Sequence, residues 1–296
     1  MLFKRQRVLL TLLNALDGSV GNTDFQKLLF LFVKELGEEP SYEFVPYRFG
    51  CFSFTSYADK RSLIRKGLLE DNDQCWQLTE TGKETARKCA IKPIKASRFC
   101  RLHKGLRGDA LIAEVYRRYP YYAIRSEIIE KVLPDELSRE LVAEAVPDKA
   151  EPGLATIGYE GKSLERYLNQ LLQNGITLLC DVRKNPLSRK YGFSKKTLSA
   201  ACEGVGIRYE HLPELGIASE FRRELKSQAD YDLLFAEYEK DTLSLRQQEL
   251  DRIQQWVESD KERVALTCYE LLPKQCHRRC VADVLEAKMG TATMHL

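Results

Sequence analysis

Apolar residues recur at intervals of three and four along the first ninety residues. This spacing predicts helices over residues 4–16, 23–36 and 55–66, and a further helix capped by Thr79. The aromatic, β-prone segment 42–54 predicts an irregular or edge strand. A polar turn at residues 70–74 separates Leu68 and Leu69 from a short predicted strand at 75–78.

The next sixty residues carry weaker helical patterns, at 110–118 and 126–132, broken by Pro120 and Pro134. Because this segment is not rich in glycine or serine, it predicts a helical connector rather than a flexible linker. The boundary with the second domain is predicted within residues 147–153. The predicted organisation is therefore residues 1–91, a basic connector over 92–150, and a second domain over 151–296.

From residue 155 onward the pattern alternates between strands and helices. Short apolar runs predict strands at 155–159, 176–182, 207–209 and 263–268. Amphipathic segments predict helices at 164–173, 198–202 and 280–288, and one or two long helices over 231–258. Strands separated by helices predict an α/β domain with a mostly parallel sheet and helices on both faces.

Composition narrows the class of protein. The chain has 296 residues, of which 44% are hydrophobic, which favours a folded protein of two domains. It contains no apolar run of about 18 residues, so neither a membrane span nor a secretory signal is expected. Nine scattered cysteines, an odd number, favour reduced thiols and a cytoplasmic protein.

Positive charge is concentrated in one segment. The net charge is only +3, but residues 83–107 hold nine Lys or Arg residues against the single acid Glu84. Such a segment suits a nucleic-acid backbone, although a solvated helix would carry similar charge. The candidate nucleic-acid contacts are Lys88, Lys92, Lys95, Arg98, Arg101 and Lys104.

Residues 4–90 resemble a winged helix-turn-helix. The resemblance rests on three helices, the segment Gly67-Leu68-Leu69, a polar tip and the strand before Thr79. Within it, Lys27 to Phe32 and Phe44 to Gly50 resemble the antitoxin-like group related to Panacea domains. The resemblance implies DNA binding, and a domain that contacts other proteins is the alternative.

Polar residues follow the predicted strands, at the sheet edge where ligands bind in such folds. The candidate catalytic residues are Tyr159, Asp181 and Glu270. The candidate substrate-binding residues are Arg183, Ser188, Arg189, Lys190, Cys276, His277 and Arg278. We expect Tyr159, Asp181, Arg183, Arg189, Glu270 and His277 to line one cleft.

Two of these residues have alternative roles. Asp181 is either an ion-pair partner of Arg183 or a carboxylate that positions a nucleophile. Tyr159 either stacks on a base or is half-buried. The basic loop from Arg183 to Lys196 favours a phosphate-bearing ligand, although a solvated loop is an alternative.

Cofactors and metals are not expected. The chain has no GxGxxG or P-loop motif, which disfavours dinucleotide and ATP chemistry. Cys276 and Cys280 are predicted on one helix, and a second CxxC pair is missing, so no tightly bound zinc is expected. If zinc were bound, its ligands would come from Cys268, Cys276, His277 and Cys280. Cys276 is also a candidate nucleophile, or simply a buried thiol.

Motifs within residues 154–290 resemble the "domain of unknown function 488" family. They are Gly158-Tyr159-Glu160-Gly161, Asp181-Val182-Arg183 with the following Pro186 and Ser188-Arg189, and the segment from Cys268 to Arg278. The resemblance implies an α/β domain and places its site without assigning a reaction.

The sequence is compatible with two functions from different classes. The first is an enzyme that processes nucleic acid or a nucleotide, for example by hydrolysis of an N-glycosidic bond, with Asp181 or Glu270 as acid or base. The second is a DNA-binding regulator that is not an enzyme, in which the α/β pocket senses a small phosphorylated ligand.

Overall fold

The computed structural model describes residues 1–36, 41–218, 221 and 225–296. The chain forms two compact units, Met1–Val146 and Pro147–Leu296. Among the described residues, no helix has the length and apolar character needed to cross a membrane.

The first unit is mostly helical. Its helices are α1 (Lys4–Ala15), α2 (Asn22–Leu36), α3 (Phe54–Arg65), α4 (Glu80–Lys88), α5 (Pro93–Leu102), α6 (Gly108–Arg118), α7 (Ile129–Val132) and α8 (Glu136–Glu144). Its strands are β1 (Ser19–Gly21), β2 (Val45–Tyr47), β3 (Gly50–Phe52) and β4 (Cys75–Gln77).

The strands of this unit form two antiparallel pairs. β1 pairs with β4, and an isolated bridge joins Leu69 to Leu78, next to the polar turn. The segment 42–54, predicted to be irregular, instead forms the β2–β3 hairpin. Buried Lys60 ties α3 to this region, because its ammonium group donates hydrogen bonds to Asn22 and to the carbonyls of Asn72 and Cys75.

The segment predicted as a connector contributes to the core of the first unit. Phe99 of α5 and Leu111 and Val115 of α6 are buried in the same apolar cluster as the side chains of α1 and α2. The helix predicted over 126–132 is reduced to the single turn of α7, and α8 had no prediction. Thr23 does not cap α2, which already begins at Asn22.

The second unit alternates strands and helices. Its strands are β5 (Gly153–Gly158), β6 (Leu178–Asp181), β7 (Arg208–His211), β8 (Arg263–Cys268) and β9 (Met294–His295). Its helices are α9 (Leu164–Gln173), α10 (Lys195–Gly204), α11 (Gln228–Asp241), α12 (Gln247–Glu258) and α13 (Arg278–Met289).

These strands form one parallel sheet in the order β7-β6-β8-β5-β9. Side chains of β8 alternate between its faces: Leu266 joins the apolar cluster with α12 and α13, whereas Thr267 accepts a hydrogen bond from Tyr167 of α9. Helices therefore cover both faces. The predicted parallel α/β sheet is confirmed, and β9 is an additional edge strand.

Gly158 ends β5 against the backbone of the segment after β8. A Cβ atom at this position would lie 1.9 Å from the carbonyl oxygen of Glu270, a contact that the structure cannot hold without moving main chain. A glycine here therefore lets two of the polar segments approach each other at the sheet edge.

Replacement of Gly158 by alanine should lower the free energy of unfolding by about 1–3 kcal/mol, as overpacking does in other cores. Gly153→Ala is the matched control, since it lies in the same strand and the nearest atoms to its Cβ are 3.8 Å away or more. Urea unfolding of both variants measures the difference. Equal stability of the two variants would contradict the close approach.

Candidate functional site

A cavity of about 400 Å³ opens at the carboxyl edge of the sheet. Its wall comes from the ends of β5, β6 and β8 and from the loop after β6. The lining residues are Tyr159, Arg183, Lys184, Asn185, Leu187, Ser188, Arg189, Lys190, Ile217, Cys268 and Tyr269. Four of these are cations, and no carboxylate is among the described residues of this lining. The cavity is therefore suited to an anion.

Arg183 is fixed by Asp181, which is fully buried. The Arg183 Nε and Nη2 atoms donate to the two carboxylate oxygens at 2.8 and 2.5 Å. The backbone N–H of Arg183 and the hydroxyl of Tyr209 donate to the same carboxylate, at 3.1 and 2.6 Å. Burial alone would lower the pKa of Arg183, but its bonds to Asp181 and the charge of that residue raise it overall.

These four hydrogen bonds occupy both oxygens of the Asp181 carboxylate. They favour the ion-pair alternative for Asp181 over a proton-transfer role, because a fully bonded and buried carboxylate has no access to a water molecule. Asp181 does not line the cavity among the described residues. Its contribution is to hold the Arg183 guanidinium in place.

Tyr159 is 3% exposed, and its ring contacts the rings of Phe193 and Tyr269. Its ring is stacked on Phe193, with centroids 4.3 Å apart and planes 8° from parallel, and its hydroxyl accepts a hydrogen bond from Arg183 Nη1 at 2.9 Å. One face of the Tyr159 ring is therefore occupied. Tyr269, which meets Tyr159 edge to face, is 43% exposed and offers a more accessible ring.

The loop after β6 presents cations to the cavity. The Lys190 ammonium donates to the Tyr159 carbonyl at 2.7 Å, and the Ser188 hydroxyl accepts from the Lys190 backbone N–H at 3.1 Å. Arg189, between them, is exposed and lines the cavity. The loop is thus organised by local hydrogen bonds, and the Arg189 guanidinium extends from an ordered backbone.

Lys162 adds a further cation close to this group. Its ammonium nitrogen is buried and has no hydrogen-bond partner among the described residues. Its pKa is lowered to about 8, first by burial and then by the positive charges of Arg278, Arg166 and Lys190. A buried ammonium group in this environment is stabilised by any anion that approaches it.

A second group of side chains surrounds Cys268 at the end of β8. The Cys268 sulfur lies 3.8 Å from His277 Nδ1 and 3.4 Å from a carboxylate oxygen of Glu270. The sulfur of Cys276 belongs to the same group, with the ligand atoms of Cys268, Cys276 and His277 all within 4.8 Å of one another. His277 Nε2 is 3.0 Å from the Val182 carbonyl, so Nε2 carries a proton, and Nδ1 faces Cys268.

Three of the predicted substrate-binding residues are buried. His277 and Arg278 open α13 as expected, but both are buried: His277 contacts Val182, and the guanidinium of Arg278 donates to the carbonyls of Glu270 and Leu271. Cys276 is also buried. It lies outside α13 in an extended conformation, so Cys276 and Cys280 do not share a helix.

Of the six residues expected in one cleft, Tyr159, Arg183 and Arg189 line the cavity. Asp181, Glu270 and His277 lie at the same sheet edge but are not among its lining residues. The side chain of Glu270 lies beside the sulfur of Cys268, which does line the cavity. Asp181 and Glu270 therefore contact lining residues of the cavity, Arg183 and Cys268, without lining it themselves.

Sequence reasoning missed three residues of this site. Tyr209 and His211 lie in β7, where Tyr209 bonds Asp181 and His211 Nε2 donates to the Arg183 carbonyl at 2.9 Å. Their alternation at the end of a predicted strand was the available signal. Lys162, four residues after β5, had no signal beyond its charge, because its burial depends on tertiary packing.

The predicted nucleic-acid contacts in the first unit lie on or near α5. Lys95, Arg98 and Arg101 are exposed on this helix, and Lys104 follows it. Within the described residues, none of these four forms an ion pair, whereas exposed Lys88 lies 3.7 Å from Glu84. The pKa of Lys92 is lowered, first by desolvation and then by Lys95 and Lys4. Among the described residues, Lys95, Arg98, Arg101 and Lys104 therefore give this face positive charge without ion-pair partners.

Comparison with known proteins bears on the second unit. Residues 163–285 match the model of a family described as Domain of unknown function DUF488. The matched range extends from the start of α9 into α13 and includes the strand ends that carry Asp181, Arg183 and Glu270, which supports the resemblance seen in the sequence. No curated protein and no solved structure matches the chain.

Proposed function

We propose that this chain processes a nucleotide or a nucleic acid, whose phosphate group binds in the cationic cavity of the second unit. The observation that carries this proposal is the composition of the cavity wall: Arg183, Lys184, Arg189 and Lys190, with no carboxylate among the described lining residues. Guanidinium groups bind phosphate oxygens through paired hydrogen bonds, and lysines add point charge.

The aromatic part of the wall indicates the rest of the ligand. Tyr269 is the exposed ring at the cavity, next to the buried Tyr159–Phe193 stack. A nucleobase stacked on an aromatic ring gains about 1–3 kcal/mol. We therefore expect Tyr269→Ala to weaken the binding of a nucleotide while it leaves the binding of inorganic phosphate unchanged. A cavity of about 400 Å³ is of a size that holds a mononucleotide.

Replacement of Arg189 by alanine should weaken nucleotide binding by about 1.5–3 kcal/mol, the contribution expected of a hydrogen bond to a charged group. Lys196→Ala is the control, since Lys196 is an exposed cation of the same region that does not line the cavity. Isothermal titration calorimetry with nucleoside mono-, di- and triphosphates measures both. Equal affinities of the two variants would contradict the binding of the phosphate group in this cavity.

The acid or base of a hydrolytic reaction would be Glu270 rather than Asp181. Glu270 is half-buried and its carboxylate lies 3.4 Å from the sulfur of Cys268, a lining residue of the cavity. Asp181, by contrast, is committed to Arg183 and Tyr209. Incubation of the chain with labelled nucleotides and oligonucleotides, followed by chromatography of the products, identifies the bond that is broken.

A regulator that senses a phosphorylated ligand is the second candidate. The hydrogen bonds of Asp181 favour the regulator, because one of the two predicted catalytic carboxylates is fully bonded to groups of the protein. Recovery of every labelled nucleotide unchanged, together with a change in DNA affinity when a nucleotide is added, would support the sensor and exclude the enzyme.

For the first unit we propose a winged helix that binds nucleic acid. The order α1, β1, α2, α3, the Leu69–Leu78 bridge and β4 supports this arrangement, in which the turn at 70–74 is the wing. The exposed cations of α5 add a surface that contacts phosphates. The alternative is a domain that contacts other proteins.

Arg98→Glu should weaken DNA binding and reduce the slope of log affinity against log salt by about one, since a contact to one phosphate is lost. Lys240→Glu, an equal change of charge at an exposed site of α11, should leave both quantities unchanged. Fluorescence polarisation at several salt concentrations measures them. If the unmutated chain fails to bind DNA at low salt, the protein-contact alternative takes precedence.

A further inference from the structure

The side chains of Cys268, Cys276 and His277 converge from two elements of the second unit. Cys268 ends β8, whereas Cys276 and His277 immediately precede α13. Their ligand atoms lie within 4.8 Å of one another, and all three residues are buried. Two thiols and an imidazole are the ligand types that zinc prefers in proteins.

The measured spacing fits a tetrahedral ion. With Zn–S bonds of about 2.3 Å and Zn–N bonds of about 2.0–2.1 Å, a sulfur and a nitrogen ligand lie about 3.6 Å apart. Cys268 Sγ and His277 Nδ1 are 3.8 Å apart. The backbone in this region therefore already places these two ligand atoms close to the separation that the ion requires.

The orientation of His277 supports the same conclusion. Metal-ligating histidines usually donate their other ring N–H to a carbonyl or carboxylate, which fixes the tautomer and the plane of the ring. His277 Nε2 donates to the Val182 carbonyl at 3.0 Å, so in the neutral ring Nδ1 is the nitrogen with a lone pair, and Nδ1 lies 3.8 Å from the sulfur of Cys268. This hydrogen bond joins the end of β6 to the ligand set.

We infer that Cys268, Cys276 and His277 bind one Zn²⁺ ion at the floor of the cavity. Both thiols lose their protons to solvent, and neutral His277 binds through Nδ1. Three protein ligands leave one coordination position, as in catalytic zinc sites. Cys268 lines the cavity and the Glu270 carboxylate lies 3.4 Å from its sulfur, so the ion would lie next to the cavity wall.

This site reverses the expectation that the cysteine spacing gave. The sequence predicted Cys276 and Cys280 on one helix without a second CxxC pair, and it named Cys268, Cys276, His277 and Cys280 as the ligand candidates if zinc were bound. Cys276 instead lies before α13, beside Cys268, and Cys280 is not part of this ligand group. The role of zinc as a Lewis acid toward a phosphate ester or as a source of hydroxide rests on the proposed function, but zinc binding itself does not.

Metal analysis of the full chain, purified without chelators and with thiols reduced, should find about one zinc ion per chain. Cobalt-substituted protein should show thiolate-to-cobalt charge transfer, and zinc X-ray absorption should detect two sulfur ligands. Both measurements use the unmutated chain, so they do not depend on the folding of a variant. Less than about a tenth of an equivalent, after addition of zinc and desalting, would overturn the inference.

Cys268→Ser and Cys276→Ser should each lower zinc affinity by more than about tenfold. Cys280→Ser is the matched control, since Cys280 is a buried cysteine of α13 outside the group. An equal loss in all three variants would contradict the assignment. If the chain binds zinc but no nucleotide, the zinc site stands and the proposed function is refuted. If it binds nucleotide but no zinc, the zinc site is refuted and the proposed function stands.

Discussion

Asp181→Leu should destabilise the second unit by about 3–5 kcal/mol, because it leaves the guanidinium of Arg183 buried without its counter-ion. Arg183 is 4% exposed and directs two of its nitrogens at this carboxylate. The variant also removes the acceptor for the Tyr209 hydroxyl. Urea unfolding followed by tryptophan fluorescence measures the loss, since Trp256 belongs to the core of this unit.

The double variant Asp181→Leu with Arg183→Met separates stability from ligand binding. Replacement of both members of a buried ion pair by apolar residues is often neutral or stabilising, so most of the lost stability should return. Nucleotide binding should not return, because Arg183 is one of the cations of the cavity wall. If the double variant binds nucleotide as the unmutated chain does, Arg183 is only a structural partner of Asp181.

Much of the second unit follows from local pattern. Short apolar runs separated by amphipathic helices predict four of its strands, since parallel strands need long crossovers and are buried on both faces. β9 was not predicted, because an edge strand of two residues, Met294–His295, is too short to show a periodic pattern. In the first unit, the strands of the β2–β3 hairpin have only three residues each, which is also too short for a clear alternation.

In the candidate site, too, local pattern predicts some features and tertiary packing decides the others. The strand ends predict which residues meet at one edge, and Tyr159, Arg183 and Arg189 do meet there. The sequence does not predict which of them face the cavity, because that depends on which hydrogen bonds are already satisfied. Asp181 and Arg278 are polar residues whose partners lie within the protein. Lys162 is the opposite case, a buried ammonium group whose partners among the described residues are missing.

Lys162 should destabilise the folded chain at neutral pH. Its folded pKa is lowered to about 8, whereas an unfolded lysine has a pKa of about 10.4. Below pH 8 the group is protonated in both states and the full cost of its burial is present. Between these two values the folded state binds fewer protons than the unfolded state, so stability rises with pH in this window. The cost is therefore greatest at pH 7 and is relieved towards pH 10.

Lys162→Met should accordingly raise the midpoint of thermal unfolding at pH 7, by more than it does near pH 10, and should weaken the binding of a phosphate-bearing ligand. An anion near Lys162 favours its protonated form, so the affinity of the unmutated chain should fall as pH rises from 7 to 9, whereas the affinity of the variant should change less. Lys162→Arg is the control, because its charge does not titrate in this range. A variant that is more stable yet binds nucleotide with unchanged affinity and pH dependence would show that Lys162 acts on folding alone, and the phosphate would then be held by Arg183, Arg189 and Lys190 without it.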